Sequence, residues 1–198
     1  LKGSSVQVDG LILAGGQGIR MGGVDKAFLT LGGETLIARS IRRLGPQLRH
    51  LAVSANGDAR RFAALGIPVL ADHEILGPLS GLLAGLDWAA NQGADAIISV
   101  AVDTPFFPGD LVARLRNDAE DRAGIANCLG RDHPAFGLWP VSIREELRLT
   151  LARGERRLMR FADAIGAVRV TFPAHDPDPF WNLNTRADLE LAQRAMPL

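Results

Sequence analysis

The sequence predicts an α/β fold with a mostly parallel central sheet and helices on both faces. Three observations carry that prediction. Short apolar runs of strand length alternate along the chain with segments of helical period. The runs are continuously apolar instead of alternating with polar residues, as expected of strands covered on both sides. The first run passes without a break into a glycine-rich turn, which places a ligand loop at the carboxyl end of a strand.

Taken in order, strands are expected over residues 10–14, 51–55, 68–71 and 96–102, with helices over 35–44, 59–65 and 79–91 between them. In the helix over 35–44, Leu36, Ile37, Ser40, Ile41 and Leu44 follow helical spacing and define the inward face. Arg39, Arg42 and Arg43 fall largely on the other side and are expected to be solvated. The second half is less regular. It predicts a helix over 110–116, strands over 124–129 and 135–139, and helices over 143–153 and 155–165 separated by Gly154. A strand over 167–172 and a closing helix over 187–195, N-capped by Thr185, complete the list. Residues 1–8 carry no pattern and are expected to be a flexible segment ahead of a single domain over 9–198.

Composition narrows the function classes. Of 198 residues, 47% are hydrophobic, enough for one sizeable core. Basic and acidic residues number 22 each, so no global field draws the chain to nucleic acid or to an acidic membrane surface. Any anion it binds has to be captured locally. The single cysteine, Cys128, cannot form an intramolecular disulfide, and no apolar run has membrane-spanning length, so the cytoplasm is the expected location.

The stretch LILAGGQGIRMGGVDK, residues 11–26, is the most informative. A strand runs into five glycines, followed by two cations, Arg20 and Lys26, the former inside the loop. Glycines let backbone N–H groups approach phosphate oxygens because no Cβ stands in the way, and the cations add charge for a triphosphate. A Walker loop would close on Gly-Lys-Ser/Thr, whereas Lys26 stands between Asp25 and Ala27. A dinucleotide fingerprint starting at Gly16 and Gly18 would need glycine where Met21 stands. A looser spacing ending at Gly22 remains, so a nicotinamide cofactor is disfavoured by the pattern.

Asp103 stands where the fourth apolar run ends, so its carboxylate should emerge into the same crevice as the glycine loop. A single aspartate suits Mg²⁺, which takes one or two carboxylates and fills its shell with water and substrate phosphates. By position alone, Asp-Thr-Pro reads equally well as a turn; the glycine loop favours the metal reading. Asn56 and Asp72 also end strand candidates, although Asn-Gly and Asp-His are turn pairs too. Gly77 and Gly81 open the next helix, where free N–H groups or a close helix–sheet contact would each require glycine.

These residues resemble the molybdenum cofactor guanylyltransferases (MobA), within the nucleotidyltransferases of GT-A-like, three-layer Rossmann-like fold. The resemblance rests on LAGGQGIRMGGVDK, SAN, GPLSGLLAG, DTP, GERRLMRF and NLNTRADL, which occur in order along nearly the whole chain. It implies that GTP binds at Leu13, Ala14, Gly15, Gly16 and Lys26, with Arg20 facing the phosphates and Asn56, Asp72 and Gly77 contributing to nucleotide recognition. It implies Asp103 as the Mg²⁺ ligand, Arg156 and Arg157 on the acceptor side, and Asn182 and Asn184 as part of the acceptor and metal side. Arg20, Lys26 and Asp103 are the implied catalytic set.

The implied reaction transfers GMP from GTP to the terminal phosphate of molybdopterin and releases pyrophosphate. Proteins that deliver or receive the cofactor are implied as transient partners. Because the nucleophile is already an anion, His50, His73, His133 and His175 need no catalytic role. Trp139 and Trp181 could stack on a pterin, with core or rim packing as the alternative. Gln17-Gly18-Ile19 replaces a commonly more basic stretch, and Ala14-Gly15-Gly16 stands where the cofactor cytidylyltransferases carry Ala-Ala-Gly. The alternatives are a CTP-dependent or sugar-phosphate nucleotidyltransferase and a nucleotide-binding module without chemistry.

Overall fold

The computed structural model describes residues 6–15, 25–71, 77–120 and 122–196. Among these, seven strands form one sheet: β1 (Val8–Leu13), β4 (Leu51–Ser54), β5 (Val69–Leu70), β6 (Ala96–Ala101), β7 (Gly124–Cys128), β8 (Arg131–Pro140) and β9 (Val168–Phe172). Their order is β5-β4-β1-β6-β8-β7-β9, and β8 alone runs against the rest. The remaining pair, β2 (Thr30–Leu31) and β3 (Glu34–Thr35), is a small hairpin turned by Gly32 and Gly33, both at positive φ. Two consecutive left-handed residues match the twist of a two-residue hairpin, and glycine adopts them without steric cost. The sequence carried this Gly-Gly signal, but flanks of two residues give no periodicity to read.

The helices are α1 (Leu36–Leu44), α2 (Pro78–Asn91), α3 (Leu111–Ala119), α4 (Arg144–Ala152), α5 (Leu158–Ala164) and α6 (Arg186–Ala195). Alternation along the strands divides the core in two. From β1, Val8 and Ile12 join the side chains of α1, α3 and α6, while Leu11 faces α2, α4 and α5. This is the expected three-layer arrangement. Residues 59–65, expected as an α-helix, form a 3₁₀ turn started by the Asp58 side chain and ended by Gly66 at φ 65°. Strand β8 is longer than expected because its first residues, Arg131, Asp132 and His133, pair with β7 beyond the stretch that pairs with β6. Pairing also begins earlier than expected: β1 starts at Val8, and Asp95 N–H donates to the Gln7 carbonyl at 2.8 Å.

Chain direction sets the location of the site. From β1 the chain proceeds to β4 and β5 on one side, then crosses back through α2 to β6 on the other. The carboxyl ends of β1 and β6 therefore flank the topological switch point, where open α/β sheets bind their ligands. Helix α2 covers the sheet beside it at close range. A Cβ at Gly81 would fall 2.4 Å from Ser54 Oγ, and one at Gly85 would fall 2.5 Å from Leu11 Cδ2. For Gly81 the close-packing explanation therefore holds.

The arginines of α1 correct the solvated-face expectation. Arg39 is 8% exposed, donates to the Leu31 carbonyl at 3.1 Å and lies 3.7 Å from Glu34. Burial, the larger influence, draws its pKa down from the ordinary value. Arg43 lies over the Phe107 ring and donates to the carbonyls of Phe106 and Phe107. Only Arg42 of the three is exposed, paired in bidentate fashion with Glu34. Guanidinium stems pack like apolar side chains while their heads satisfy carbonyls; for Arg39 the carbonyl belongs to β2, and for Arg43 the carbonyls belong to the loop that follows Asp103.

Candidate active site

The site is assembled from three chain segments that leave the same end of the sheet. Strand β1 delivers Leu13 and Ala14; the Leu13 carbonyl accepts from Val102 N–H at 3.1 Å, and Ala14 N–H donates to the Ser54 carbonyl at 2.8 Å. These bonds extend the parallel ladder by one step past each strand. They hold the start of the glycine loop against both neighbouring strands, β4 and β6.

Beyond the loop, Asp25 caps a short 3₁₀ turn, Lys26–Phe28, with its carboxylate accepting from Ala27 N–H at 3.0 Å. The turn aims Lys26 back across the crevice. Its ammonium donates to Asp103 Oδ2 at 2.8 Å and to Asn184 Oδ1 at 2.9 Å. The Lys26 and Asp103 side chains are 20% and 18% exposed, so the pair lies in a partly screened crevice instead of on an open surface.

Asn184 reaches this point because the segment before α6 is pinned at both ends. Leu183 is buried, and its N–H donates to the Asp103 carbonyl at 2.8 Å. Thr185 and Asp188 form a reciprocal capping box, and Asp188 Oδ2 accepts from Asn184 N–H at 3.0 Å as well as from Thr185 N–H at 2.8 Å. Thr185 was legible as the cap in the sequence; the second acceptor role of Asp188, which fixes Asn184, was not. Asn182, with the inward-facing Leu183 between, is exposed beside it.

Other expected site residues lie around this centre. Asn56 follows β4 and is half-buried, its carbonyl accepting from Arg61 Nη2 at 2.5 Å. Gly77 precedes α2 at φ 88°, and a Cβ there would be 3.9 Å from the Arg156 carbonyl, so the GERR loop lies against the start of α2. That loop is organised by Glu155, whose Oε1 accepts from both Arg156 N–H and Arg157 N–H at 2.9 Å. Hydrogen bonds from Arg157 N–H first, then Arg156 N–H, hold the Glu155 carboxyl below its ordinary pKa. The Arg156 guanidinium donates to the carbonyls of Leu151 and Glu155, whereas Arg157 is exposed. Gly15 is exposed; Gly16, Arg20, Asp72 and His73 lie outside the described residues.

The tryptophans separate. Trp139 is fully buried, with its indole N–H donating to Ser99 Oγ at 2.8 Å, so it belongs to the core. Trp181 is half-buried and stacks on Phe106 at 6.2 Å between ring centres, three residues after Asp103. Among the described residues, no helix is long and apolar enough to cross a membrane.

Comparison with known proteins identifies the family and the fold. Residues 10–168 match the MobA-like NTP transferase domain. A protein of Cereibacter sphaeroides named molybdenum cofactor guanylyltransferase is 56% identical over 184 residues, covering 93% of this chain and 94% of its own. Molybdopterin-guanine dinucleotide biosynthesis protein A from Archaeoglobus fulgidus shares the fold at TM-score 0.73 and 21% identity, over 94% of this chain and 97% of that one. A 4-diphosphocytidyl-2C-methyl-D-erythritol synthase from Anaerococcus prevotii shares it at TM-score 0.75 and 12% identity, over 96% and 95%. With the matched domain spanning most of the sequence and a relative 56% identical along nearly its whole length, the chain belongs to the MobA-like NTP transferase family.

Proposed function

We propose that the chain transfers GMP from GTP to the terminal phosphate of molybdopterin and releases pyrophosphate. The observation that carries this reading is the convergence of Lys26, Asp103 and Asn184 on one point just past the carboxyl end of β6, which there is bonded to the end of β1. The names of the curated relatives support the choice of nucleotide and acceptor.

The donor set fits Mg²⁺. A carboxylate and an amide oxygen surround one cation position, which the Lys26 ammonium takes as a stand-in. No group of three or more His, Cys, Asp or Glu side chains suited to a metal stands among the described residues. Hard oxygen donors in small number, with room for water and phosphate, match the preference of Mg²⁺. Bound by Asp103 and Asn184, Mg²⁺ would supply positive charge to the α-phosphate and to the departing pyrophosphate.

The chain's own groups account for the rest. The backbone of Leu13, Ala14, Gly15 and Gly16 cradles the phosphates, with Lys26 and Arg20 neutralising them. Asn56, Asp72 and Gly77 hold the base side. Arg156, Arg157 and Asn182 face the acceptor, with Arg157 the more exposed of the two cations. An oxygen of the acceptor phosphate forms a bond to the α-phosphorus; the bond from that phosphorus to the bridging oxygen of pyrophosphate breaks, and its electron pair leaves with pyrophosphate. The nucleophile enters already ionised, so the task is alignment of two anions and dispersal of charge. A cytoplasmic location and transient contact with cofactor-delivering or cofactor-receiving proteins accompany this reading.

Incubation with Mg²⁺, molybdopterin and each of GTP, ATP, CTP and UTP tests it. Dinucleotide product and pyrophosphate are expected with GTP. Preference for CTP would move the chain to the cytidylyltransferases, and no pyrophosphate from any nucleotide would overturn the reading.

A further inference from the structure

We propose that Arg61 is a positioning residue that ties the loop after β4 to the turn that aims Lys26, so that the base side and the phosphate side of the nucleotide site are set together. Its side chain reaches three backbone or side-chain partners from the 3₁₀ turn Ala59–Leu65. Nη2 donates to the Asn56 carbonyl at 2.5 Å, and Nη1 donates to the Asp58 carbonyl at 3.1 Å. Nε lies 2.7 Å from Asp25 Oδ2. That Nε–H makes no aligned hydrogen bond, so the Asp25 contact is ionic and the carbonyls supply the directional part.

Asp25 is the residue through which this contact reaches the reacting end of the site. Its other carboxylate oxygen accepts from Ala27 N–H, its carbonyl accepts from Phe28 N–H at 3.0 Å, and Lys26 between them extends to Asp103 and Asn184. The two loops also share an aromatic floor. The Arg61 guanidinium lies 4.7 Å from the ring centre of Phe62, which is fully buried, and Phe28 meets the same ring at 5.1 Å. Gly57, at φ 82°, completes the fit, because a Cβ there would lie 3.0 Å from Arg61 Nη1. A planar fork serves two carbonyls and a carboxylate at once; a lysine ammonium at the same place has one centre and cannot span them.

The inference rests on the proposed guanylyltransferase reading only in placing Asn56 and Lys26 in one nucleotide site. Its test uses the full chain and the variants Arg61→Gln, Arg61→Lys, Asp25→Asn and the Arg61→Gln/Asp25→Asn double. For Arg61→Gln we expect KM for GTP to rise by about tenfold and kcat to fall by about tenfold, with KM for molybdopterin within about twofold. Preference for GTP over ATP should narrow, since the Asn56 loop is released. Arg61→Lys should regain melting temperature without regaining KM for GTP. The double variant should be no worse than Arg61→Gln, because both changes cut one link.

Equal losses toward GTP and molybdopterin, or losses that follow melting temperature across the series, would make Arg61 a brace of the fold and overturn the proposal. Effects that multiply in the double variant would also overturn it. Calorimetric binding of GTP with Mg²⁺ to the same four variants reads the link without the acceptor. A wild type that binds GTP but makes no dinucleotide therefore sinks the functional reading alone.

Discussion

At the level of single residues, Lys26 holds two oxygens that a metal ion would also use, and its charge is then needed by the triphosphate. Lys26→Ala is expected to lower kcat by about 10²–10³, the scale of losing one preorganised donor to developing charge, with little change in KM for molybdopterin. Stopped assays of pyrophosphate release measure this; wild-type kcat would make the lysine a bystander. A second residue has a stability signature. The His133 ring stacks on Phe180 at 4.5 Å, and burial, followed by the charge of Arg131, lowers its pKa from the ordinary value of 6.5 against the opposing pull of Asp178 and Asp132. A folded pKa below the unfolded one means that the unfolded chain takes up the proton more readily. The stability contributed by neutral His133 is therefore complete above the ordinary value and fades as pH falls through the lowered one. Between about pH 7.5 and pH 5, the melting temperature of wild type should fall more than that of His133→Phe, as read by circular dichroism; parallel curves would refute the assignment.

At the level of elements, helix and strand ends position the site, and they were also the hardest features to read in advance. The strands that flank the crevice were legible because burial on both faces makes them continuously apolar, and Asp103 was legible because it ends one of them. Thr185 was legible by cap chemistry. Arg39 and Arg43 were misread because helical periodicity sorts residues by polarity, whereas a guanidinium can be buried once carbonyls of another segment reach it. Arg61 and Asp25 were missed because the ion pair between them joins positions far apart in sequence, which no local spacing encodes. Asp188 shows how a helix end serves the site. Thr185 first, through its side-chain hydrogen bond, holds the Asp188 carboxyl below its ordinary pKa, so it stays ionised and accepts from two backbone amides. Asp188→Ala should cost about 1 kcal/mol in urea denaturation, the usual worth of a cap. It should also lower kcat several-fold, because Asn184 loses the bond that fixes its backbone. Stability loss without any kinetic change would separate the cap from the site.

At the level of the whole molecule, basic and acidic residues balance at 22 each, and every cation of the proposed site must act locally in a crevice that only the strand order creates. That arrangement links metal, nucleotide and stability. In the nucleotide-free chain, Mg²⁺ would compete with the Lys26 ammonium for Asp103 and Asn184; with GTP present, the phosphates would give that ammonium another partner and would add oxygen donors suited to the metal. Mg²⁺ alone should therefore raise the melting temperature of wild type only slightly, and GTP with Mg²⁺ should raise stability by about 2.7 kcal/mol at a hundredfold excess over Kd. Lys26→Ala reverses the first half of this: with the ammonium gone, Mg²⁺ alone should become the larger stabiliser while the gain from adding GTP shrinks. Differential scanning calorimetry of both chains with each ligand and with the pair measures all the terms. If Mg²⁺ alone protected wild type as fully as the pair does, lysine and metal would not be competing for the same two oxygens, and the cation position marked by Lys26 would not be the metal's.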